Sequence, residues 1–141
     1  MTQVKRKKSS CYCINLRQAA KVISNLYDDA LKSVGISVTQ YSLLSSLGHM
    51  ENCNVSDLAK YVGLERTTLV RTLKPLTAKG LVVDVSEPGE RDRRLRLTNQ
   101  GKTVIRKAKE LWSESQREIE RRIGKEDAAK LEEILLRLLE Q

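Results

Sequence analysis

The sequence of 141 residues contains no phenylalanine, and aromatic residues make up only 4% of it. Proteins that bind single-stranded nucleic acids stack the bases on aromatic side chains, so this composition disfavours that class. No apolar run approaches the ~20 residues that are needed to span a bilayer. The charged N-terminus is not followed by the apolar segment of a signal peptide. We therefore expect a cytoplasmic protein without a membrane partner.

Residues that support catalysis are also scarce. His49 is the single histidine, and the carboxylates do not cluster with the spacing of an acid–base or nucleophilic site. The three cysteines are an odd number in a chain without an export signal, which favours a reducing compartment. The sequence therefore predicts neither an enzyme nor a bound cofactor.

Positive charge is what the sequence has in excess. Lys and Arg number 26 against 18 acidic residues, which gives a net charge of +8. A protein can be basic for solubility alone, but here the charge is concentrated in two clusters, at residues 5–8 and at Arg91, Arg93, Arg94 and Arg96. Localised positive charge attracts phosphate backbones. We expect residues 1–10 to be a disordered basic arm, which either adds phosphate contacts or is a solvated tail.

Apolar residues spaced by three or four predict helices on both sides of a central region. The first two helices are expected at about 13–34 and from a cap near Thr39 to residue 50, and the last two at about 99–123 and 126–139. Helices of this length cannot bury their apolar stripes against one small domain. We therefore predict an obligate homodimer.

The central region, residues 55–98, has the order of a winged helix-turn-helix. Ser56 is expected to cap a short helix over 57–62, Gly63 lies at the turn, and a second helix follows over about 65–79. A strand with Leu81, Val83 and Val85 on one face, a Pro-Gly turn and a return strand over 94–97 would form the wing. The predicted fold is mainly α with a small β-hairpin wing.

Polar residues in the first turns of the second helix are the expected base-reading group. They are Arg66, Thr67, Thr68 and Arg71, with Lys74 one turn further on. Ser56 and Thr67 lie at helix N-termini, where backbone N–H groups favour phosphate. The same side chains could form an ordinary solvated helix face. The arginine-rich wing that follows makes DNA reading the stronger interpretation.

The wing tip would be a second reading element, made of Arg91, Asp92, Arg93 and Arg94. An arginine inserted into a narrow minor groove meets an enhanced negative potential. An aspartate is repelled by phosphate, so Asp92 needs another reason to be there. Our hypothesis is that Asp92 pairs with a neighbouring arginine, or with one of a partner subunit, and so holds the wing in shape.

Several short motifs of this region follow a common pattern. They are Thr67-Thr68, Gly80-Leu81-Val82, Asp92-Arg93-Arg94 and Leu97-Thr98-Asn99-Gln100-Gly101. Together they resemble the MarR family of bacterial transcriptional regulators, and the flanking helices match in order as well. The resemblance implies a homodimer that binds a pseudo-palindromic operator in double-stranded DNA, as a repressor rather than an activator, under the control of a small-molecule effector or an oxidant.

The wing departs from the family pattern in one respect. The segment between the Asp-Arg-Arg and Leu-Thr motifs is about two or three residues shorter than in the family. Either the wing is short, or Arg91 takes the role of the arginine that enters the minor groove.

The cysteines resemble the peroxide-sensing branch of the same family. Cys13 would match its reactive cysteine and Tyr27 one of its tyrosines, with Cys11 nearby, whereas the second expected tyrosine is replaced by Val38. A helix N-terminus stabilises a thiolate, and oxidation there would release DNA. Alternatively, the cysteines are small buried apolar residues. A zinc site made of Cys11, Cys13, His49 and Cys53 is a further alternative.

The resulting organisation is a basic arm (1–10), an N-terminal dimerisation helix (11–36), the winged helix-turn-helix (37–98) and C-terminal dimerisation helices (99–141). A different class of function also fits a winged helix, because such a domain can act as a protein-interaction module without reading DNA. Affinity for DNA without a steep salt dependence would favour that alternative.

Overall fold

The structure is a computed structural model that describes Lys5 and residues 9–50 and 52–140. Along these residues the chain forms six α-helices and three short β-strands, with a 3-10 turn at Lys32–Val34. The elements are α1 (Tyr12–Leu31), α2 (Val38–His49), β1 (Cys53–Asn54), α3 (Val55–Val62), α4 (Arg66–Ala78), β2 (Val82–Asp84), β3 (Arg94–Leu97), α5 (Asn99–Ile123) and α6 (Lys125–Leu139). The predicted mainly α fold with a small wing is confirmed. Of the predicted basic arm, residues 1–4 and 6–8 lie outside the described residues.

A tight turn at Gly35 separates α1 from α2. Gly35 has a left-handed φ of 76°, which ends the 3-10 turn after α1. A capping box then starts α2: the Ser37 Oγ accepts a hydrogen bond from the Gln40 N–H, and the Gln40 Oε1 accepts one from the Ser37 N–H. The cap predicted near Thr39 is therefore Ser37.

The helix-turn-helix is formed by α3 and α4. Gly63 has a left-handed φ of 72° at the turn, as predicted. The predicted cap of α3 is wrong: Asn54 caps the helix by accepting a hydrogen bond from the Asp57 N–H at 2.7 Å, and Ser56 is the second helical residue. The helix therefore starts at Val55, whose buried side chain packs the first turn against the core.

Pro75 lies inside α4, which nevertheless continues to Ala78.

The wing is part of a three-stranded antiparallel sheet with the order β1-β3-β2. Strand β1 was not among the predicted elements, and its Cys53 pairs with Leu95 of β3. The return strand forms over the predicted residues 94–97, with Leu95 and Leu97 buried and Arg94 and Arg96 exposed. The predicted face of the first wing strand is wrong, because Val82 is buried and Val83 is 37% exposed.

The register of the first wing strand changes because Leu81 belongs to the end of α4 rather than to the strand. Its N–H donates to the Leu76 carbonyl, and its own carbonyl accepts a hydrogen bond from the Thr98 N–H. Leu81 is buried as a helix-end contact, so the pleat begins one residue later.

Helix α5 has the predicted bounds, 99–123. The Thr98 Oγ1 caps its start by accepting a hydrogen bond from the Gly101 N–H. The helix ends before Gly124 and packs against α1 and α2. The main hydrophobic core lies under the helix-turn-helix and extends to Ala108 of α5. None of the helices within residues 9–50 and 52–140 combines the length and apolar character that crossing a membrane requires.

Apolar side chains remain exposed at the two ends of the chain. No side chain of residues 125–139, the whole of α6, is buried. The exposed large apolar residues of α1 and α6 are Tyr12, Ile14, Leu16, Ile134, Leu135, Leu136, Leu138 and Leu139. Contiguous apolar surface of this kind marks a protein–protein contact.

Candidate nucleic-acid interface

Helix α4 presents a polar side to solvent. Leu69, Leu73 and Leu76, spaced by four and three residues, are buried and fix the orientation of the helix. All the residues predicted to read DNA from this helix are exposed: Arg66, Thr67, Thr68, Arg71 and Lys74. The packing of the leucines therefore forces these side chains outward. Ser56, by contrast, is half-buried at the start of α3, one helix away.

The base of the wing is held by a hydrogen-bonded turn. The Asp84 carboxylate accepts hydrogen bonds from the backbone N–H and the hydroxyl of Ser86, and the Ser86 Oγ accepts one from the Arg94 N–H at 2.7 Å. The Ser86 hydrogen bonds hold the pKa of Asp84 below its ordinary value, and the nearby Arg93 adds to this. The wing loop is therefore anchored to both strands by side chains.

The arginines of the wing are not equivalent. Arg93 lies 3.7 Å from the Asp84 carboxylate, and Arg94 lies 3.3 Å from that of Glu90. Within the described part of the chain, Arg91 has no carboxylate at ion-pair distance. Arg91 is thus the wing-tip cation whose guanidinium is least engaged within its own chain.

Asp92 connects the wing to α4. Its Oδ1 lies 3.5 Å from the Nη2 of Arg66, at the start of the helix. Asp92 does pair with an arginine, but that arginine comes from α4 and is neither a neighbour in the wing nor a residue of a partner subunit. The two elements predicted to read DNA are therefore joined by one ion pair.

A groove of about 670 Å³ runs between α4 and the wing. Its charged lining consists of the Asp84 carboxylate and four cations, Arg66, Lys74, Arg91 and Arg93. Its apolar part includes Val70, a half-exposed residue of α4 that the sequence analysis did not single out. A signal was present, because Val70 lies four residues from both Arg66 and Lys74 and so shares their face.

The predicted redox residues do not meet within one chain. Cys11 and Cys13 are exposed at the start of α1. Tyr27 is buried further along the same helix, roughly 21 Å away by helical rise. Its hydroxyl donates a hydrogen bond to the Gln116 Oε1, and burial raises the pKa of the Tyr27 phenol. Cys13 and Tyr27 could therefore contact each other only across two subunits.

The two alternative roles predicted for the cysteines, small buried apolar residues and zinc ligands, can each be compared with the structure. Cys53 is buried in β1, and burial raises the pKa of its thiol, so it fits the description of a small apolar residue. Cys11 and Cys13 do not, because both are exposed. In the ranges that the structure describes, no three His, Cys, Asp or Glu side chains are grouped as metal ligands, so the zinc alternative has no geometric support.

A second crevice lies between α2 and α5, away from the wing. Tyr41 and Trp112 face each other there with ring centroids 6.0 Å apart. Its polar and aromatic lining also includes Tyr61, His49, Lys109 and three serines of α2. Aromatic walls with one cation are suited to a small organic anion.

The turn between α3 and α4, the exposed side of α4 and the three-stranded wing define a winged helix-turn-helix protein. The family model for the MarR family matches residues 34–95. The transcriptional regulator SarZ of Staphylococcus epidermidis is 32% identical over 93 residues, which cover 65% of this chain and 63% of SarZ. The chain thus spans less than two thirds of the length of this relative.

Solved structures match over nearly the full length. The transcriptional regulator MosR of M. tuberculosis is 31% identical, with a TM-score of 0.77 over 93% of this chain and 96% of MosR. MosR in complex with DNA is 32% identical, with a TM-score of 0.74 over 92% of this chain and 98% of that one. The chain belongs to the MarR family.

Proposed function

We propose that this protein is a sequence-specific, double-stranded DNA-binding transcriptional regulator that acts as a homodimer in the cytoplasm. The observation that carries the proposal is the single cationic surface formed by the exposed side of α4 and the wing. Four cations line the groove between them, and Arg71 adds a fifth on the helix. Such a surface matches the charge of a DNA backbone and the width of a major groove.

The two reading elements have different roles. The first turns of α4 enter the major groove, where Arg66 and Arg71 reach base edges and the threonines contact bases or phosphates. Arg91 of the wing enters the flanking minor groove, since its guanidinium is the least engaged of the wing-tip cations. MosR, which is similar to this chain, has been solved in complex with DNA, and this supports DNA binding itself.

The homodimer follows from the exposed apolar faces of α1 and α6. Two copies that bury these faces against each other place their α4 helices on one side, related by a two-fold axis. The operator is then a pseudo-palindrome whose half-sites are about one helical turn apart.

Control of binding acts from the region between the winged domain and the dimer helices. The crevice between α2 and α5 takes a small organic effector, and the protein is a repressor that this effector releases. Cys13, with Cys11, is the candidate for a second, oxidative signal, because an exposed thiol at a helix start is accessible to peroxide.

Selection of bound duplexes from a random pool tests the proposal. We expect a pseudo-palindromic consensus and an affinity that falls steeply with salt. Arg66→Ala or Arg71→Ala should relax the base preference and cost about 1–3 kcal/mol of binding free energy if the arginine contacts a base in two places. Removing residues 5–8 should weaken all sequences alike. Arg106→Ala, an exposed arginine of α5, is the charge-matched control.

Two outcomes would contradict parts of the proposal. An equal loss on selected and random DNA for Arg66→Ala and Arg71→Ala would exclude direct base reading by these residues. The absence of a consensus and of a steep salt dependence would exclude DNA reading altogether and favour a protein-interaction module.

A further inference from the structure

One apolar side chain interrupts the polar side of α4. Within the first two and a half turns, the exposed residues are Arg66, Thr67, Thr68, Val70, Arg71 and Lys74. Val70 is 48% exposed, although it lies next to the fully buried Leu69. Valine at this position is therefore not explained by the core of the domain.

Helix stability does not explain Val70 either. Valine is a weaker helix former than alanine, lysine or arginine, because its branched Cβ restricts the side chain against the preceding turn. The elements that pack substantially against α4 are α2, α3 and β2, so the exposed apolar faces of α1 and α6 do not account for it. The exposed half of the Val70 side chain is therefore available to a partner outside the chain.

The surroundings of Val70 indicate what that partner is. Arg66 and Lys74 lie one turn before and one turn after it, and Arg91 and Arg93 face it from the wing across the groove. Two of these four cations pair with carboxylates, Arg66 with Asp92 and Arg93 with Asp84, so the charge around Val70 remains positive. An apolar spot with positive charge around it fits a surface that is anionic around its edge and apolar at its centre. The major groove has this character where a thymine C5-methyl group stands between two phosphate backbones.

We infer that Val70 contacts a thymine methyl group in each half-site and is a specificity-determining residue. This inference rests on the proposed function. Among the base edges of the major groove, the thymine methyl group is the one apolar feature, and small aliphatic side chains contact it. Arg66 and Lys74 position the helix from either side, and Val70 distinguishes thymine from cytosine at one base pair.

Uracil substitution tests the inference, because uracil differs from thymine by the loss of this methyl group alone. The probe is the duplex selected for the wild-type protein, with each thymine of a half-site replaced in turn by uracil. We expect one position at which affinity falls about four-fold, and about fifteen-fold when both half-sites are replaced, from the burial of one methyl group per site. Val70→Ala should show a similar loss on the thymine duplex.

The losses of affinity caused by uracil substitution and by Val70→Ala should not be additive. The duplex carrying uracil at that position should bind the Val70→Ala protein as tightly as the thymine duplex does. Val70→Thr, which keeps one methyl group and nearly the same shape, should retain part of the sensitivity to uracil. Val83→Ala removes an exposed valine from the wing strand β2 and should leave the sensitivity unchanged.

The outcomes separate failure of the inference from failure of the proposed function. If the wild-type protein selects a consensus but Val70→Ala keeps the full response to every uracil, the inference is wrong. An equal loss on selected and random duplexes would likewise assign Val70 a structural role. If no consensus is selected, the proposed function fails first and the inference fails with it.

Discussion

At the scale of single residues, Gly101 shows why the Leu-Thr-x-x-Gly motif has its glycine. A Cβ at this position would overlap the carbonyl oxygen of Leu81, which already accepts a hydrogen bond from the Thr98 N–H. Glycine therefore lets the first turn of α5 pack directly on the backbone at the start of the wing. The glycine of this motif is therefore required for close packing between the start of the wing and α5.

Replacing this glycine tests the packing argument. We expect Gly101→Ala to lower the free energy of unfolding by about 1–3 kcal/mol, because the backbone must shift to admit a methyl group. Gly48→Ala is the matched control. Its Cβ would meet the nearest atom, the Leu97 Cδ1, at 3.5 Å, and alanine is the better helix former. Urea unfolding at one fixed protein concentration measures both, and equal effects of the two substitutions would contradict the argument.

Asp92 is the second residue whose role can be isolated. Removing a negative charge near phosphate should by itself tighten DNA binding, whereas loss of the pair with Arg66 should free the wing and weaken it. Because an exposed ion pair contributes about 0–1 kcal/mol, we expect Asp92→Ala to weaken operator binding by at most about five-fold and to change stability little.

A double-mutant cycle with Arg66→Ala checks that the two residues act together. Fluorescence anisotropy on the selected duplex should show a smaller effect of Asp92→Ala once Arg66 is absent. Glu87→Ala removes another carboxylate of the wing and should leave affinity equal or higher. If Asp92→Ala also leaves both affinity and stability unchanged, Asp92 does not position the wing.

At the scale of elements, the wing is held by a titratable turn. Asp84 has a lowered pKa in the folded protein because Ser86 donates hydrogen bonds to its carboxylate. The ionised form is therefore favoured by folding, so this contribution is present above the ordinary pKa of aspartate and is lost as the pH falls through the lowered value. We expect Ser86→Ala to raise the pKa of Asp84 toward its ordinary value.

An NMR pH titration of the Asp84 carboxylate in both proteins measures this shift. The amide resonances of Val83 and Val85 should follow the same titration in the wild type, because they flank the turn. Ser113→Ala, on α5, serves as the control serine. An Asp84 pKa that is the same in Ser86→Ala and wild type would show that the hydrogen bonds do not hold the turn.

Most helices could be predicted from the sequence because their signals are local. Each signal affects only the few residues around it. Examples are the glycines at 63 and 124, the Thr98 cap and the leucine spacing of α4. The features that could not be predicted depend on residues distant in sequence. Strand β1 forms because Cys53 pairs with Leu95 of the distant strand β3. The buried face of β2 was predicted wrongly because the backbone of Leu81 is hydrogen-bonded to Leu76 and Thr98.

The candidate site divides in the same way. The exposed side of α4 could be predicted, since burial of Leu69, Leu73 and Leu76 determines which residues face outward. The pairing of Arg66 with Asp92 could not, because the wing folds back onto the helix only in three dimensions. Val70 shares the face of Arg66 and Lys74 in the sequence pattern, but the groove that it lines with the wing forms only when distant residues come together.

At the scale of the whole molecule, the chain separates its charged and apolar surfaces. The cationic groove is formed by the middle of the sequence, and the exposed apolar faces lie on α1 and α6, at the two ends. This arrangement lets the proposed self-association and the proposed DNA reading use different surfaces of the same chain. Binding both half-sites at once would require this separation.

The dimer itself is tested on α6, whose apolar residues have no cover within one chain. Leu138 is 61% exposed, and Ile134 lies one turn before it on the same face. Replacing both with glutamine keeps the charge and removes the apolar contact, so sedimentation equilibrium should show a shift from dimer to monomer. The monomer should bind the selected operator far more weakly, because it loses the second half-site, yet keep its affinity for random DNA per subunit.

The control is Glu133→Gln, an exposed change on the same helix, which should remain dimeric. A double variant that stays dimeric would exclude this face of α6 from the interface.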